Sequence, residues 1–314
     1  MTTKITNLIK EKMPKQVTIF EVGPRDGLQN EPHLASLGSK ATTLKIELIN
    51  ALSETGLRHI ESGAFVSPKM IPTMADSSSV MSQINRQPQV CYSALTPNLK
   101  GLEAAINVNA NEIAVFTSCS ETFTQKNINA NISESIKRFE PVIAVAHQHL
   151  LPIRAYLSCV MDCPYEGKTS AAQVTSIAKT LIDMGCYQVS LGDTIGTGTP
   201  LQVAYLLEAM HKQITASAIA VHFHDSYGQA LANIYQALQM EITTIDSSVA
   251  GLGGCPYAPG ASGNVATEDV LYLCQGLGID TGVDLKKVSA IGHAFCTQLG
   301  IRSQSKVSSV MAHP

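Results

Sequence analysis

The sequence predicts an α/β protein in which eight β/α units close into a single (β/α)8 barrel, with an additional helical segment at its C-terminal end. Three observations support this prediction. Short strand-like apolar runs alternate with longer helix-like runs along the chain. The 314 residues suit one large barrel, and no linker-like stretch divides them. No GxGxxG fingerprint follows the first strand, which disfavours the competing open, doubly wound sheet.

The eight predicted strands are short segments rich in β-branched and aromatic residues. In chain order they read VTIFEV from Val17, HIESGAF from His59, VCYSAL from Val90, EIAVFTS from Glu112, IRAYLSCV from Ile153, QVSLGDT from Gln188, AIAVHFHD from Ala218 and TIDSSVAG from Thr244. We therefore expect one catalytic domain over residues 1–314, with the barrel at about residues 17–280.

Helical patterns lie between these strands. KATTLKIELINALSETG ends in Gly56, AAQVTSIAKTLIDMG ends in Gly185, and GQALANIYQALQM begins near Gly228. A glycine just past a helix is a common stop signal, so the first two ends are well marked. A last helical pattern, Leu285 to Leu299, lies outside the eight units, in a C-terminal helical extension of about residues 281–314.

Composition excludes several classes of protein. Hydrophobic residues make up 45% of the chain, which is enough for a sizeable core. The net charge is -3 and no basic stripe occurs, so we expect no nucleic-acid partner. No apolar run approaches the roughly 20 residues of a membrane span, and we expect no membrane partner. The first 16 residues resemble neither a secretory signal nor an Arg-rich transit peptide, and the eight cysteines form no CxxC pair. These features predict reduced thiols in a bacterial-type cytoplasm.

The seventh predicted strand ends in two histidines, His222 and His224. Its odd-numbered positions hold bulky apolar residues, and its even-numbered positions hold alanines and both histidines. Because side chains alternate faces along a strand, both imidazoles should face the barrel interior, about 7 Å apart along the backbone. The chemistry of such barrels takes place at the C-terminal ends of the strands. The spacing favours two ligands of one metal ion over two hydrogen-bonded histidines in a polar barrel mouth.

Two further segments should complete this site. Arg25 and Asp26 follow the first strand, which neighbours the seventh and eighth strands in a closed barrel, so Asp26 is a candidate third ligand. Alone, this charged pair would suit a solvated turn equally well. The eighth strand is followed by GLGGCPYAPGASGN, a glycine-rich loop that carries Cys255 and Asn264. Such a loop is either a plain mobile connection or a lid whose thiol serves as acid, base or nucleophile.

The candidate ligands are oxygen and nitrogen donors without a thiolate. Such a set favours Mg²⁺ or Mn²⁺ with open positions over structural zinc. A cation of this kind polarises a carbonyl and acidifies a bound hydroxyl. Arg25 could stabilise an oxyanion opposite it. These are the groups needed to make or break a carbon–carbon bond through an enolate.

Seven motifs carry a resemblance to the hydroxymethylglutaryl-CoA lyase family, in that family's order and from about Val17 to the last helices. They are EVGPRDGLQNEP, FVSPKMIPTMAD, LTPNLKG, SCVMDCPYEGK, SLGDTIGTGTP, AVHFHDSYGQALAN and SSVAGLGGCPYAPGASGNVATED. The resemblance implies a homodimeric, metal-dependent TIM barrel related to isopropylmalate and homocitrate synthases. It implies cleavage of (S)-3-hydroxy-3-methylglutaryl-CoA, an acyl-CoA substrate, to acetyl-CoA and acetoacetate in leucine breakdown.

The resemblance also implies roles for individual residues. Asp26, His222 and His224 match the family's metal ligands, and Asn264 matches a further ligand, either direct or through water. Arg25 resembles the residue that steadies the thioester enolate, and Cys255 resembles the catalytic thiol. The proton transfers fall to His222 and Cys255, and the sequence does not divide them. Supporting acids would be Glu61, Asp193 and Glu21, for which structural hydrogen bonding is an equal alternative.

Three other functions stay open at this point. A condensing synthase of the same group more often reads LRDGEQ at the first strand and lacks the cysteine-bearing loop. A lyase for longer, terpenoid-derived thioesters would share every catalytic residue. A non-catalytic acyl-CoA-binding barrel would be free to lose members of the set that is intact here. One departure is that the chain ends KVSSVMAHP, without the C-terminal cysteine that can cross-link animal dimers, which puts that thiol redox switch in doubt.

Overall fold

The computed structural model describes residues 13–254 and 263–312 and contains the predicted closed barrel of eight parallel strands. The strands are β1 (Thr18–Glu21), β2 (His59–Ala64), β3 (Cys91–Leu95), β4 (Glu112–Ser118), β5 (Ile153–Ser158), β6 (Gln188–Asp193), β7 (Ile219–Phe223) and β8 (Thr244–Ser247). Around the barrel, β1 pairs with β2 on one side and with β8 on the other, and β8 pairs with β7. The predicted adjacency of the first, seventh and eighth strands is confirmed.

Helices alternate with the strands and surround the barrel, and further helices follow the last strand. They are α1 (Pro32–Ala35), α2 (Ser39–Ser53), α3 (Ser77–Gln83), α4 (Leu99–Asn107), α5 (Glu121–Ile128), α6 (Ile132–Gln148), α7 (Ala171–Asp183), α8 (Pro200–His211), α9 (Ala230–Gln239), α10 (Thr267–Leu277), α11 (Leu285–Leu299) and α12 (Lys306–Met311). The predicted C-terminal helical segment is therefore present as α11 and α12. No helix within the described ranges is both long and apolar enough to cross a bilayer.

Several strands end earlier than the sequence predicted, and two of them, β5 and β8, are followed by a residue with a left-handed backbone conformation. The run that begins at Ile153 stops at Ser158, because Cys159 adopts a left-handed φ of 58°. A short hairpin of Asp162–Cys163 and Gly167–Lys168 follows. The run that begins at Thr244 stops at Ser247, and Ala250, also with φ of 58°, lies in a tight turn after it. An apolar composition does not reveal where the backbone leaves the extended region.

The apolar core lies between the strands and the helices. In α9, Ala230, Ile234, Ala237 and Leu238 recur at helical spacing and all are fully buried. Burial of Ile234 and Leu238 stabilises the fold by about 1.5–3 kcal/mol each. After α7, Gly185 has a φ of 113°, and a Cβ atom there would lie 2.4 Å from the Cε1 atom of His147. The positive φ makes glycine the preferred residue at this stop signal, and the ring of His147, which is exposed, would have to move aside for a side chain.

The barrel interior contains a buried ion pair. The side chains of Arg154 on β5 and Asp246 on β8 are fully buried. The guanidinium Nη1 and Nη2 atoms donate to the two carboxylate oxygens over 3.0 and 2.5 Å. Arg154 Nε also donates to Gln188 Oε1 over 3.0 Å, and the guanidinium lies 4.1 Å from the centroid of the Phe20 ring. The pair, in which the two charges neutralise each other, lies in the barrel interior between its two ends.

Candidate active site

A five-residue π-helical turn, Gly23–Gly27, follows β1 and carries Arg25 and Asp26. The backbone N–H groups of Asp26 and Gly27 both donate to Val22 O, over 2.8 and 3.2 Å. Gly27 lies against the segment that follows β8, where an added Cβ atom would be 2.7 Å from Ser248 Oγ. Only a residue without a side chain allows this approach, which brings Asp26 over the C-terminal end of the barrel.

Asp26 meets both histidines of β7 at this end. One possible ligand atom from each of Asp26, His222 and His224 lies within 4.8 Å of the other two. His222 Nε2 is 3.7 Å from Asp26 Oδ2, and the imidazole centroids are 5.5 Å apart. Alternation along β7 predicted that both imidazoles share one side of the strand, and they do so here.

Asp246 positions His222 from the barrel interior. It is the register partner of His222 on the neighbouring strand, and its Oδ2 lies 3.2 Å from His222 Nδ1. An ionised carboxylate can only accept, so Nδ1–H donates the hydrogen bond to Asp246, and in the neutral ring Nε2 faces Asp26 with a lone pair. A carboxylate behind a histidine is the usual way to fix the tautomer and orientation of a metal-binding imidazole.

The electrostatics of the cluster follow from burial and proximity. Burial alone would raise the pKa of Asp26, but Arg25 and the two histidines lower it to about 2. Burial and the neighbouring His222 lower the pKa of His224 to about 4, so this ring is neutral at pH 7. Burial disfavours protonation of His222, yet the hydrogen bond with Asp246 raises its pKa. The cluster therefore presents one carboxylate and at least one neutral imidazole.

These residues fit a divalent cation. His224 Nδ1 is buried and has no hydrogen-bond partner within the described parts of the chain. When His222 is neutral, its Nε2 lone pair faces the ionised carboxylate of Asp26, which is unfavourable unless a positive group lies between them. One oxygen and two nitrogen donors, without sulfur, match ions that keep open positions for substrate oxygens.

Arg25 is fixed beside the cluster by charged partners. Its Nε and Nη2 atoms lie 2.7 Å from Glu61 Oε2, and its Nη1 atom donates to Asp26 Oδ1 over 2.7 Å. Tyr156 also donates to Glu61 Oε2, over 3.0 Å, and the guanidinium lies 5.1 Å from its ring centroid. Glu61 is thus brought to the site as the residue that orients Arg25.

Asn264 reaches the same carboxylate from the segment after the loop. Its backbone forms an isolated antiparallel β-bridge with His224, which directly follows β7. Its Nδ2 atom donates to Asp26 Oδ2 over 2.8 Å and to Leu252 O over 3.3 Å. The amide nitrogen is the atom that contacts Asp26, whereas a metal would take the amide oxygen. The ligand role of Asn264 stays a prediction.

The remaining predicted residues occupy other positions. Glu21 Oε1 accepts from the N–H groups of Gly23 and Val249 over 2.8 Å each, so it joins the turn after β1 to the turn after β8. Asp193 accepts from Gly198 N over 2.8 Å and holds the loop after β6. Burial raises its pKa to about 6. Both carboxylates thus accept hydrogen bonds from the backbone, and their role as supporting acids in catalysis stays a prediction. Cys255 lies outside the described residues.

Sequence reasoning missed Asp246, Arg154 and Tyr156. Each is a polar residue inside an apolar strand run. The alternation of side chains along β8 places Asp246 on the interior face of the barrel. Charged residues are almost never fully buried without a partner, so a charge in a strand interior is a usable signal. Identifying its partner, however, requires the register between strands.

Asp246→Asn should reduce both stability and metal affinity. Arg154 would keep a fully buried charge without a countercharge, which costs about 3–5 kcal/mol in the free energy of unfolding. Loss of the carboxylate behind His222 should weaken Mn²⁺ binding about 10–100-fold. Urea unfolding and calorimetric Mn²⁺ titration measure the two effects. The control is Asp183→Asn, which removes an exposed partner of Lys179 and should change neither. Unchanged Mn²⁺ affinity in Asp246→Asn would contradict the positioning role.

Comparisons with known proteins agree with this geometry. Residues 16–294 match the HMGL-like family. The mitochondrial hydroxymethylglutaryl-CoA lyase of Gallus gallus is 54% identical over 295 residues, which cover 94% of this chain and 97% of the chicken protein. The crystal structure of the hydroxymethylglutaryl-CoA lyase of Pseudomonas aeruginosa is similar with a TM-score of 0.92 and 50% identity, covering 96% of this chain and 99% of that one. An HMG-CoA lyase of Acinetobacter baumannii, solved with coenzyme A and 3-methylmalate, has a TM-score of 0.88 and 34% identity, covering 94% and 95% of the two chains.

Proposed function

Because the chain belongs to the HMGL-like family, we propose that it is a carbon–carbon lyase that cleaves (S)-3-hydroxy-3-methylglutaryl-CoA to acetyl-CoA and acetoacetate. This reaction would serve leucine breakdown. The observation that carries the proposal is the buried cluster of Asp26, His222 and His224 beside Arg25 at the barrel mouth. Such a cluster suits chemistry in which negative charge develops on a substrate oxygen.

We further propose that Asp26, His222 and His224 hold Mg²⁺ or Mn²⁺, with Asn264 as a further ligand. When bound, the cation would polarise substrate oxygens and acidify the substrate hydroxyl. The preference rests on the oxygen and nitrogen donors of the cluster. Asp246 keeps His222 in the orientation that this binding requires.

Arg25 would stabilise the enolate. Its terminal nitrogens each carry a second N–H besides the one directed at Glu61 or Asp26. A guanidinium held by two carboxylates does not need to reorganise when charge develops on the thioester oxygen, and a side chain that is 6% exposed is shielded from water. Glu61 and Tyr156 contribute by fixing this orientation.

The reaction balances with two proton transfers. A base removes the proton of the C3 hydroxyl, the oxygen forms the ketone of acetoacetate, and the C2–C3 electron pair moves into the thioester enolate. An acid then protonates C2 to give acetyl-CoA. His222, at the cluster, and Cys255, in the loop between Gly254 and Asn264, are the proposed groups for these transfers.

An assay of purified protein with hydroxymethylglutaryl-CoA tests the proposal. We expect acetyl-CoA and acetoacetate in equal amounts with Mg²⁺ or Mn²⁺, and almost none after chelation. Product from acetyl-CoA plus 2-oxo acids instead would identify a condensing synthase. Binding of the substrate without turnover at any metal concentration would identify a non-catalytic barrel. Parallel assays with longer 3-hydroxyglutaryl-CoA thioesters measure the breadth of the substrate range.

Cys255→Ser should lower kcat strongly and leave metal binding almost intact. The substitution keeps the side-chain size but raises its pKa by several units, which removes a fair acid or base near neutral pH. Steady-state kinetics and Mn²⁺ titration measure the two effects. Iodoacetamide should inactivate the wild-type enzyme, a substrate analogue should protect it, and mass spectrometry locates the modified thiol. Cys186→Ser, at a buried thiol, is the control. Near-wild-type kcat in Cys255→Ser would assign the transfers to His222 or a water.

The homodimer is a prediction from the family resemblance, whereas the cytoplasmic location is a prediction from the cysteine pattern. We propose a homodimer, for which light scattering of the purified protein should give twice the 33.5 kDa chain mass. A monomer at working concentration would contradict it. The predicted cytoplasmic location is tested by fractionation of cells that express the full chain.

A further inference from the structure

A second cluster of metal-binding side chains lies at the opposite end of the barrel. His59, Cys91 and Glu112 are the first residues of β2, β3 and β4. One possible ligand atom from each lies within 4.8 Å of the other two. His59 and Cys91 are direct register partners, and side chains paired in register in a parallel sheet point to the same face. Three consecutive strands therefore direct these groups to one place.

Two buried atoms of this cluster lack partners. His59 Nδ1 and Glu112 Oε1 are both inaccessible to solvent and form no hydrogen bond within the ranges that the structure describes. Glu112 is only 3% exposed, and its second oxygen accepts from Tyr187 over 2.7 Å. Buried polar atoms without a partner are uncommon in folded proteins and require an explanation. A cation bound through His59 Nδ1 and Glu112 Oε1, together with the thiol, would satisfy both atoms.

The surroundings allow a cation. Arg154 acts on both His59 and Glu112, and Asp246 neutralises it through two hydrogen bonds. The exposed Arg58 also acts on His59, and the half-buried Arg86 acts on Cys91. Burial lowers the pKa of His59 to about 4 and raises those of Glu112 and Cys91 to about 7 and 12. The imidazole is thus a neutral ligand, while the thiol and the carboxyl can each lose a proton to a divalent ion. One thiolate and one carboxylate balance a charge of two.

We propose that His59, Cys91 and Glu112 form a zinc site that joins the N-terminal ends of β2, β3 and β4. Imidazole nitrogen, thiolate sulfur and carboxylate oxygen are all zinc ligands, and water would fill the fourth position. The thiolate selects a softer ion here than the oxygen and nitrogen donors of the Asp26 cluster do. Tetrahedral zinc places its ligand atoms about 3.3–3.8 Å apart, so side-chain movements of about 1 Å complete the site. His59 and Cys91 are half-buried, which leaves a path for the ion.

Cobalt binding to the full-length protein tests this proposal without reference to catalysis. A Co²⁺–thiolate bond gives an intense charge-transfer band in the near ultraviolet, which oxygen and nitrogen ligands do not give. We expect the apo protein to bind two Co²⁺ per chain and to develop this band with one of them. Zn²⁺ should displace that ion and abolish the band. An apo protein that binds Co²⁺ without the band would overturn the proposal.

Variants assign the band to a residue. Cys91→Ser should remove it, whereas Cys186→Ser, which changes a buried thiol near the start of β6, and Cys255→Ser should keep it. His59→Asn keeps the thiol but removes a nitrogen ligand, and should weaken Co²⁺ binding at least tenfold. This variant also serves if Cys91→Ser does not fold. A band that persists in Cys91→Ser would refute the assignment.

The Asp26→Ala background separates this site from the proposed catalytic one. In that background Zn²⁺ should still raise the unfolding temperature, and the increase should vanish when Cys91→Ser is added. If the purified protein shows no lyase activity but keeps the Cys91-dependent band, the proposed catalytic function is wrong and the zinc site is still supported. Zn²⁺ stabilisation that is equal with and without Cys91 would exclude it.

Discussion

Asp26→Ala and His222→Ala are each expected to reduce kcat/KM by about 10³-fold or more. Cationic stabilisation of transition-state charge amounts to several kcal/mol, and each 1.36 kcal/mol corresponds to a factor of about ten in rate. Both residues face the same point, where His222 Nε2 is 3.7 Å from Asp26 Oδ2. The double variant should lose hardly more than either single variant, because all three lack the same ion.

The measurements are steady-state kinetics, calorimetric Mn²⁺ titration and circular dichroism. Weakened Mn²⁺ binding with an unchanged dichroism spectrum is the expected pattern. The matched control is His33→Ala, since that side chain is 57% exposed and pairs with Glu31 at the surface, away from the Asp26 cluster. Loss of the folded spectrum in both active-site variants would instead assign these residues to structural hydrogen bonding.

Arg25→Gln should lower kcat by about 10²–10³-fold, with a smaller change in KM. A charge-assisted donor in a site shielded from water matters most once charge has developed on the thioester oxygen. The metal site should survive, because Asp26 Oδ1 keeps its hydrogen bond from Gln29 over 2.8 Å. Arg25→Lys should recover only part of the rate, since an ammonium cannot reproduce the guanidinium contacts with Glu61 and Asp26.

The control for this prediction is Arg86→Gln. Arg86 is a half-buried arginine that lies away from the barrel mouth and donates a hydrogen bond of 2.8 Å to Val108 O. The substitution should leave kcat unchanged. An increase in KM with wild-type kcat in Arg25→Gln would make Arg25 a substrate-binding residue and contradict its role in enolate stabilisation. A tenfold or greater loss of Mn²⁺ affinity would show that Arg25 acts mainly through Asp26.

Much of this site could be predicted from local patterns. Alternation along β7 places His222 and His224 on one side, and the barrel prediction brings the turn with Asp26 beside them. The limits arise where a contact joins distant parts of the chain. Glu21 was ambiguous because its partners Val249 and Thr267 lie more than 200 positions away. The role of Asp246 depends on the register of β8 against β7, and no local pattern reports that register.

The fully buried pair of Arg154 and Asp246 has a consequence for how the chain folds. The two residues are 92 positions apart and belong to β5 and β8. A partial barrel that ends before β8 would have to leave the guanidinium of Arg154 in contact with water or bury it without a countercharge, and the second state is strongly unfavourable. Compact half-barrels are therefore penalised relative to the complete ring. The pair thereby favours the closed ring over intermediates with exposed strand edges that could associate with other chains.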